Sequence, residues 1–233
     1  MSALPPAIRV LHVYKTYYPD TTGGVEMVLQ QLVRSLASMG VESRLLVLSP
    51  DPHPAQISFP GVVVIRCQTS FALASNPMSL SALGEFRRQL AWADVVHYQF
   101  PWPFGDLLHL LCGGRKPSVV SYQSDIVRQK NLMRVYRPLM QRFLERVDRV
   151  CATSPSYRDT SPVLSRLQKP VDVIPNGLDA DMCPPAPDGV LQRWRARLGE
   201  GFVLFVGVLR YYKGLHTLIE ASVGLDAPVV IAG

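Results

Sequence analysis

Short β-branched apolar runs alternate with amphipathic runs along almost the whole of this 233-residue chain, and few architectures tolerate that alternation. Residues 8–14 form an apolar run stopped by polar side chains, the pattern of a buried strand. Gly23-Gly24 then opens a stretch in which Val25, Val28, Leu29, Leu32, Val33 and Leu36 recur at spacings of three and four, as one helix face requires. Gly40 stops it. Further strands are expected at 43–48, 62–65, 94–98, 118–122, 149–153 and 171–174. Helices are expected at 79–92, 104–112, 132–147 and 156–167. Pro50, Pro52, Pro54 and Pro60 make a turn of the segment between the second and third strands. Strands separated by helices pair in parallel through right-handed crossovers, and near-continuous apolar strands need cover on both faces. The expected fold is therefore α/β: a doubly wound parallel sheet, Rossmann-like, over residues 1–183.

Pro184, Pro185 and Pro187 mark a linker. A helix (190–198), a strand (202–206), a turn holding Lys213-Gly214, a helix (215–223) and a strand (228–232) follow. Two strands and two helices do not close a hydrophobic core. Residues 184–233 are read as the incomplete beginning of a second Rossmann-like domain.

The composition narrows the function classes. Hydrophobic residues are 48% of the chain, enough for a sizeable core and too many for a disordered one. No apolar run is long enough to span a bilayer, and the first residues lack the basic flank and apolar stretch of a secretory signal, so a cytoplasmic location is expected. Cys67, Cys112, Cys151 and Cys183 lie too far apart for a close-spaced metal or redox pair and read as small buried hydrophobes. The formal charge of +6 is concentrated: Arg128, Lys130, Arg134, Arg137, Arg142, Arg146 and Arg149 face only Glu145 and Asp148 within residues 128–149. An amphipathic helix there either lies against anionic headgroups or presents an ordinary solvated face. Nucleic acid is not an expected partner, since no binding motif accompanies the charge.

Five places carry chemistry. Tyr17 to Glu26, with the Gly23-Gly24 pair at a helix start, is either a plain turn that needs glycine or a cradle in which free N–H groups and the helix dipole favour a diphosphate. The ends of the fourth and fifth strands, His97-Tyr98-Gln99-Phe100-Pro101 and Tyr122-Gln123-Ser124-Asp125, lie where open sheets place their ligands, and their polar groups suit sugar hydroxyls. A single His such as His97 serves equally as a hydrogen-bonded structural residue. Arg210 and Lys213 follow a strand at a helix start and either suit a diphosphate leaving group or are two solvated cations on a surface turn. The fifth place is the basic helix, whose Leu132, Val135, Leu139, Met140, Phe143, Leu144 and Val147 should pack on the sheet. A nicotinamide-dependent oxidoreductase is disfavoured, because the three spaced glycines of its fingerprint are missing.

At these residues the sequence resembles glycosyltransferase family four, retaining enzymes of the GT-B fold. Gly23-Gly24-Val25-Glu26, the two strand ends, Pro175-Asn176-Gly177-Leu178-Asp179 and Gly207 to Gly214 occur in the family's order. The resemblance implies an acceptor-side N-terminal domain and a donor-side C-terminal one. It assigns Gly23, Gly24, Arg210 and Lys213 to the donor diphosphate, Tyr18, Glu26 and Gln99 to the acceptor side, and Gln123, Asp125 and His97 to the reacting centre. It implies a sugar nucleotide as co-substrate, no metal and no other cofactor, and a glycan or polyprenyl-linked acceptor. Tyr-Gln-Ser-Asp is similar to stretches in members that transfer mannose-type sugars from GDP donors during polysaccharide or O-antigen assembly. Three departures accompany the resemblance. Gln123 stands where many members have His, Val208 stands where many have Arg, and no glutamate follows Glu220 to supply the family's later glutamate pair. These 233 residues alone are therefore expected to transfer little, or to act as a non-catalytic acceptor- or membrane-binding module, peripheral on the inner face of a membrane.

Overall fold

The computed structural model describes residues 7–73, 76–113, 115–126, 130–179, 184–187, 189–199, 201–209 and 211–233. It divides into two compact units, Met1–Asp179 and Ala180–Gly233, four residues before the boundary expected from the linker prolines.

The first unit is built on one eight-stranded sheet. Its strands, in chain order, are β1 (Arg9–Val13), β2 (Glu42–Ser49), β3 (Gln56–Phe59), β4 (Val62–Gln68), β7 (Val95–Phe100), β8 (Ser118–Tyr122), β9 (Arg149–Ala152) and β10 (Val171–Val173). β5 (Phe71–Leu73) and β6 (Asn76–Met78) form a separate antiparallel hairpin. The spatial order is β10-β9-β8-β7-β1-β2-β4-β3. All neighbours in the large sheet run parallel except β3 and β4.

The helices are α1 (Gly24–Ser38), α2 (Ser81–Trp92), α3 (Pro103–Leu108), α4 (Lys130–Arg146) and α5 (Pro155–Thr160); α3 runs on into a π-helical turn, His109–Gly113. Strand alternation sends successive side chains of β2 to opposite faces. Leu46 and Leu48 join Leu11, Val13, Phe86, Tyr98, Phe100, Val120, Phe143 and Leu144 in one buried cluster. Leu45 and Val47 join Tyr14, Tyr17, Leu29, Val33 and Val64 in a second cluster, to which α1 contributes Leu29 and Val33.

The structure corrects three sequence expectations. The proline-rich segment contains β3, an antiparallel edge strand, so the sheet is not wholly parallel. Pro60-Gly61 joins β3 to β4, with Gly61 at φ +83°, the sign a two-residue turn with proline first demands at its second position. A Cβ on Gly61 would also lie 2.6 Å from the Val33 carbonyl oxygen of α1. In α4, Val135 is 78% exposed instead of packed; Tyr136 takes the inner position with Met140, Phe143, Leu144 and Val147. The Tyr136 hydroxyl donates to the buried Asp106 of α3, a tie that fixes which face α4 turns inward. Burial pushes the Asp106 carboxyl well above the usual range, opposed by that hydrogen bond.

The second unit holds α6 (Val190–Leu198), β11 (Val203–Val206), a 3-10 turn (Tyr211–Lys213), α7 (Leu215–Ala221) and β12 (Val229–Ala232), with β11 and β12 paired in parallel. None of its described residues is buried. Every buried residue described lies between Leu11 and Leu164.

Candidate functional site

Strand order reverses direction between β1 and β7. From β1 the chain progresses outward through β2 and β4; from β7 it progresses the other way through β8, β9 and β10. Open α/β sheets bind ligands in the crevice beyond the carboxyl ends of the two strands at such a switch point. Here that crevice is bordered by the loop and helix start after β1 and by the segments following β7 and β8.

Glu26 dominates the loop after β1. It stands in the first turn of α1, where a carboxylate suits the helix dipole, and it is buried. Its Oε1 accepts from Thr21 Oγ1 at 2.8 Å and from Thr16 Oγ1 at 3.3 Å. A Cβ on Gly23 would fall 2.6 Å from Glu26 Oε2, so Gly23 is glycine to let this carboxylate close over the helix start. Gly24 is exposed, and nothing lies within 4 Å of where its Cβ would stand. Tyr18 is half-buried, edge-on to Tyr17 with ring centroids 4.9 Å apart. Burial first, then Glu26, pushes the Tyr18 phenol up. Beneath the loop, Arg66 of β4 is almost wholly buried. Its Nη2 donates to Asp20 Oδ1 at 2.7 Å, Ser49 Oγ at 2.9 Å and the Asp51 carbonyl at 2.6 Å. That guanidinium ties the loop after β1 to the far ends of β2 and β4.

On the β7–β8 side three amides form a hydrogen-bonded row. Asn176 Nδ2 donates to Gln123 Oε1 at 3.2 Å, and Gln123 Nε2 donates to Gln99 Oε1 at 2.9 Å. Gln123 is anchored by its own N–H, which donates to the Phe100 carbonyl at 3.1 Å. Gln99 is 2% exposed, and its Nε2 finds no acceptor among the described groups. A buried donor left without a partner costs about 1–3 kcal/mol, so a ligand acceptor at this place would be held firmly.

The other two residues expected at the reacting centre are engaged within the protein. Asp125 Oδ1 accepts from the hydroxyls of Tyr122 and Ser161 at 2.8 and 2.9 Å, and Oδ2 accepts from Tyr157 at 3.1 Å. It links the end of β8 to α5 and the turn after it. His97 lies three residues back from the end of β7, inside the sheet layer, and is 7% exposed. Its Nδ1 meets His12 Nδ1 at 2.8 Å and its Nε2 meets Ser121 Oγ at 2.8 Å, while His12 Nε2 meets Ser43 Oγ at 3.3 Å. Ser43, His12, His97 and Ser121 thus form a buried polar line across β2, β1, β7 and β8. Burial holds His97 down to about 4 and His12 well below its usual value, the neighbouring His97 adding to the effect on His12. His97 fills the structural role that the sequence left open beside the catalytic one.

In the second unit, Lys213 ends the 3-10 turn and Gly214, at φ +70°, precedes α7; the Lys213 side chain is exposed. Arg210 lies outside the described residues, as do Arg128 of the basic stretch and Cys183. Cys67 and Cys151 are buried, and burial pushes the Cys67 thiol up to about 12. Among the described residues no three His, Cys, Asp or Glu side chains converge as a metal ion requires, and no helix is long and apolar enough to cross a membrane. A depression of about 300 Å³ lined by Glu42, Arg44, Phe59 and Trp92 opens on the edge where β2 begins, away from the crevice.

Tyr17, Asp20 and Asn176 lie in stretches singled out from sequence, but the Arg66–Asp20 pair and the hydrogen bond from Asn176 to Gln123 were not foreseen. For Arg66 a signal existed: a lone cation inside the apolar run of β4 requires a buried anion or several carbonyls.

The switch-point crevice, the glycine-bearing helix start beside it and a second α/β unit define a GT-B glycosyltransferase architecture. Residues 22–182 match the model of Glycosyltransferase Family 4, and the chain belongs to that family. It is 53% identical over 226 residues to the D-rhamnosyltransferase WbpZ of Pseudomonas aeruginosa, covering 97% of this chain and 59% of that protein. It is 44% identical to the O-antigen chain mannosyltransferase C of Escherichia coli, covering 97% and 61%. The chain thus spans about three fifths of the length of these curated relatives. Among solved structures it resembles the sucrose-phosphate synthase tll1590 of Thermosynechococcus elongatus (TM-score 0.72, 19% identity, 97% of this chain and 62% of that one). It also resembles Anabaena Alr3699/HepE in complex with UDP and glucose (TM-score 0.69, 14% identity, 96% and 60%). At those identities the likeness concerns the fold.

Proposed function

We propose that this chain forms the acceptor side, and the first part of the donor side, of a glycosyltransferase that moves a mannose-type sugar from a GDP donor to a glycan or polyprenyl-linked acceptor with retention and without a metal. The observation that carries the reading is the 53% identity to a D-rhamnosyltransferase across 97% of the chain. D-Rhamnose is 6-deoxy-D-mannose, so the sugars named for both relatives share the manno arrangement of hydroxyls. The Asn176–Gln123–Gln99 row, with its spare buried donor, suits that hydroxyl pattern: amides both donate and accept.

Each residue then has a role. Gly24 admits the donor phosphates, because no atom of the chain crowds it, and Gly23 accommodates Glu26. Glu26 and Tyr18 border the acceptor. Gln123 supports the reacting sugar by hydrogen bonding, since an amide does not exchange protons near neutral pH. Asp125 orients the end of β8. Lys213 and Arg210 neutralise the departing diphosphate, and this electrostatic term is the main source of rate. The exposed Arg134, Arg137, Arg142 and Arg146 hold the enzyme at an anionic membrane surface.

The test is transfer from GDP-mannose and GDP-D-rhamnose to a polyprenyl-linked glycan, comparing this chain with a protein that contains it and has the relatives' full length. The longer protein is expected to transfer one of these sugars with retained anomeric configuration, and Gln123→Ala to slow it. Failure of the longer protein to bind or transfer either sugar would refute the proposal. A second reading is that this chain by itself serves as an acceptor- or membrane-binding module, since no glutamate follows Glu220 to hold a donor sugar. It predicts acceptor binding without turnover.

A further inference from the structure

The β5–β6 hairpin was invisible in the sequence and is unused by the site described above. Three of the large apolar residues around it face outward: Phe71 is 52% exposed, Leu73 59% and Leu80, just after β6, 81%. Topology fixes where they stand. Parallel strands all leave the sheet at one edge, so the segment after β4 (the hairpin), the segment after β7 (the start of α3) and the segment after β8 (leading to α4) share the edge that bears the crevice. α3 packs against both β6 and α4. Trp102, immediately before α3, donates its indole N–H to the Pro77 carbonyl at 3.2 Å, and Tyr136 of α4 donates to Asp106 of α3. The hairpin, α3 and the first half of α4 are therefore fixed to one another. With Tyr136 turned inward, Arg134, Val135 and Arg137 are left exposed on the same part of α4.

From this juxtaposition we infer that the β5–β6 hairpin is a membrane wedge: Phe71, Leu73 and Leu80 enter the interfacial layer of an anionic bilayer while Arg134 and Arg137 bind its headgroups, beside the crevice. This rests on the membrane-surface reading of the basic helix and adds the element that inserts. The chemistry favours lipid over a protein partner. Two strands of three residues offer far less than the area a specific protein interface buries. A bilayer needs no complementary shape, only apolar area together with cations for its anionic headgroups. The placement also presents the crevice edge to the layer from which a lipid-linked acceptor would come.

Vesicle flotation of the 233-residue chain tests the inference, using phosphatidylcholine with and without phosphatidylglycerol. The parent is expected to partition onto the anionic vesicles. Phe71→Ser with Leu73→Ser, both at exposed positions, should lower that partition at least about tenfold, as should Arg134→Glu with Arg137→Glu. In a Phe71→Trp variant the added tryptophan should shift to the blue on anionic vesicles and be quenched by brominated acyl chains, a readout independent of any loss of folding in the serine variant. If the serine variant binds as well as the parent and the new tryptophan is not quenched, while the arginine variant is lost from the vesicles, the wedge is refuted and the basic-helix reading stands. If the parent fails to bind anionic vesicles at all, both fall. Vesicle binding that is indifferent to Phe71 and Leu73 also overturns it.

Discussion

Acid should weaken this protein through the histidine pair in the middle of its sheet, and the size of the effect follows from the structure. His97 is buried against His12 and Ser121 and is held down to about 4. In the unfolded chain a histidine titrates near 6.5. The folded value is the lower one, so the unfolded chain carries the extra proton between about pH 6.5 and pH 4. The contribution to stability is full above 6.5 and is lost as pH falls through that window. Between about pH 7 and pH 4.5 the loss from His97 alone is on the order of 2–3 kcal/mol, a large share of the usual 5–15 kcal/mol of a domain. His12, lowered by burial and by the neighbouring His97, adds to it. The pair cannot both carry two ring N–H groups, because two N–H bonds would then point at each other across 2.8 Å. The assay is urea denaturation at both pH values in a Trp194→Phe background, so that Trp92 and Trp102 report the first unit. A His12→Gln, His97→Gln double variant should be less stable than the parent near neutrality but lose 2–3 kcal/mol less on acidification, to order of magnitude. Parallel losses in parent and variant would refute the reasoning, since other acid-sensitive groups, such as Asp94 held down to about 2 by Arg9, are common to both.

Three further outcomes are expected. Arg66→Met strands the Asp20 carboxylate and should cost about 3–5 kcal/mol by denaturant unfolding, with partial recovery on adding Asp20→Asn; a cost under about 1 kcal/mol would remove the clamp from the account. Gly61→Ala combines a left-handed φ with a 2.6 Å approach to the Val33 carbonyl and should lose at least about 2 kcal/mol. Gly24→Ala, in open space, should change stability by less than about 0.5 kcal/mol yet weaken sugar-nucleotide binding in the longer protein, measured by calorimetry; unchanged affinity would detach Gly24 from the donor.

The parallel strands and most helices of the first unit were legible because each buried strand is a short apolar run and the longer helices show their spacing; the helix expected at 156–167 instead stops at Thr160, and a 3-10 turn at Leu164–Arg166 follows. The expected helix at 190–198 matches α6 residue for residue. β3 and the β5–β6 hairpin were not legible. Gln56 to Phe59 sits at a sheet edge with half its residues exposed, and its neighbouring prolines read as a turn. The hairpin strands are three residues long, too short for a period to register. Val135 was misplaced because helix spacing ranks a valine above a tyrosine for the core, whereas the Tyr136 hydroxyl has a buried partner in Asp106. In the candidate site, the strand ends carrying Gln99, Gln123 and Asp125 were singled out from topology, and their roles only from the family resemblance. Their hydrogen-bond partners were not, because Asn176, Ser161 and Tyr157 arrive from segments remote in sequence.

The confinement of all buried positions to the stretch from Leu11 to Leu164 bears on how the polypeptide matures. A ribosome adds about 5–20 residues each second, so several seconds of translation separate Leu164 from Gly233. Once β10 has cleared the exit tunnel, every strand of the eight-stranded sheet and every buried side chain described has been made, and the first unit can begin to fold while residues 180–233 are still emerging. The β1–β7 switch point and the loops around it can therefore stand on the nascent chain before β12 has emerged.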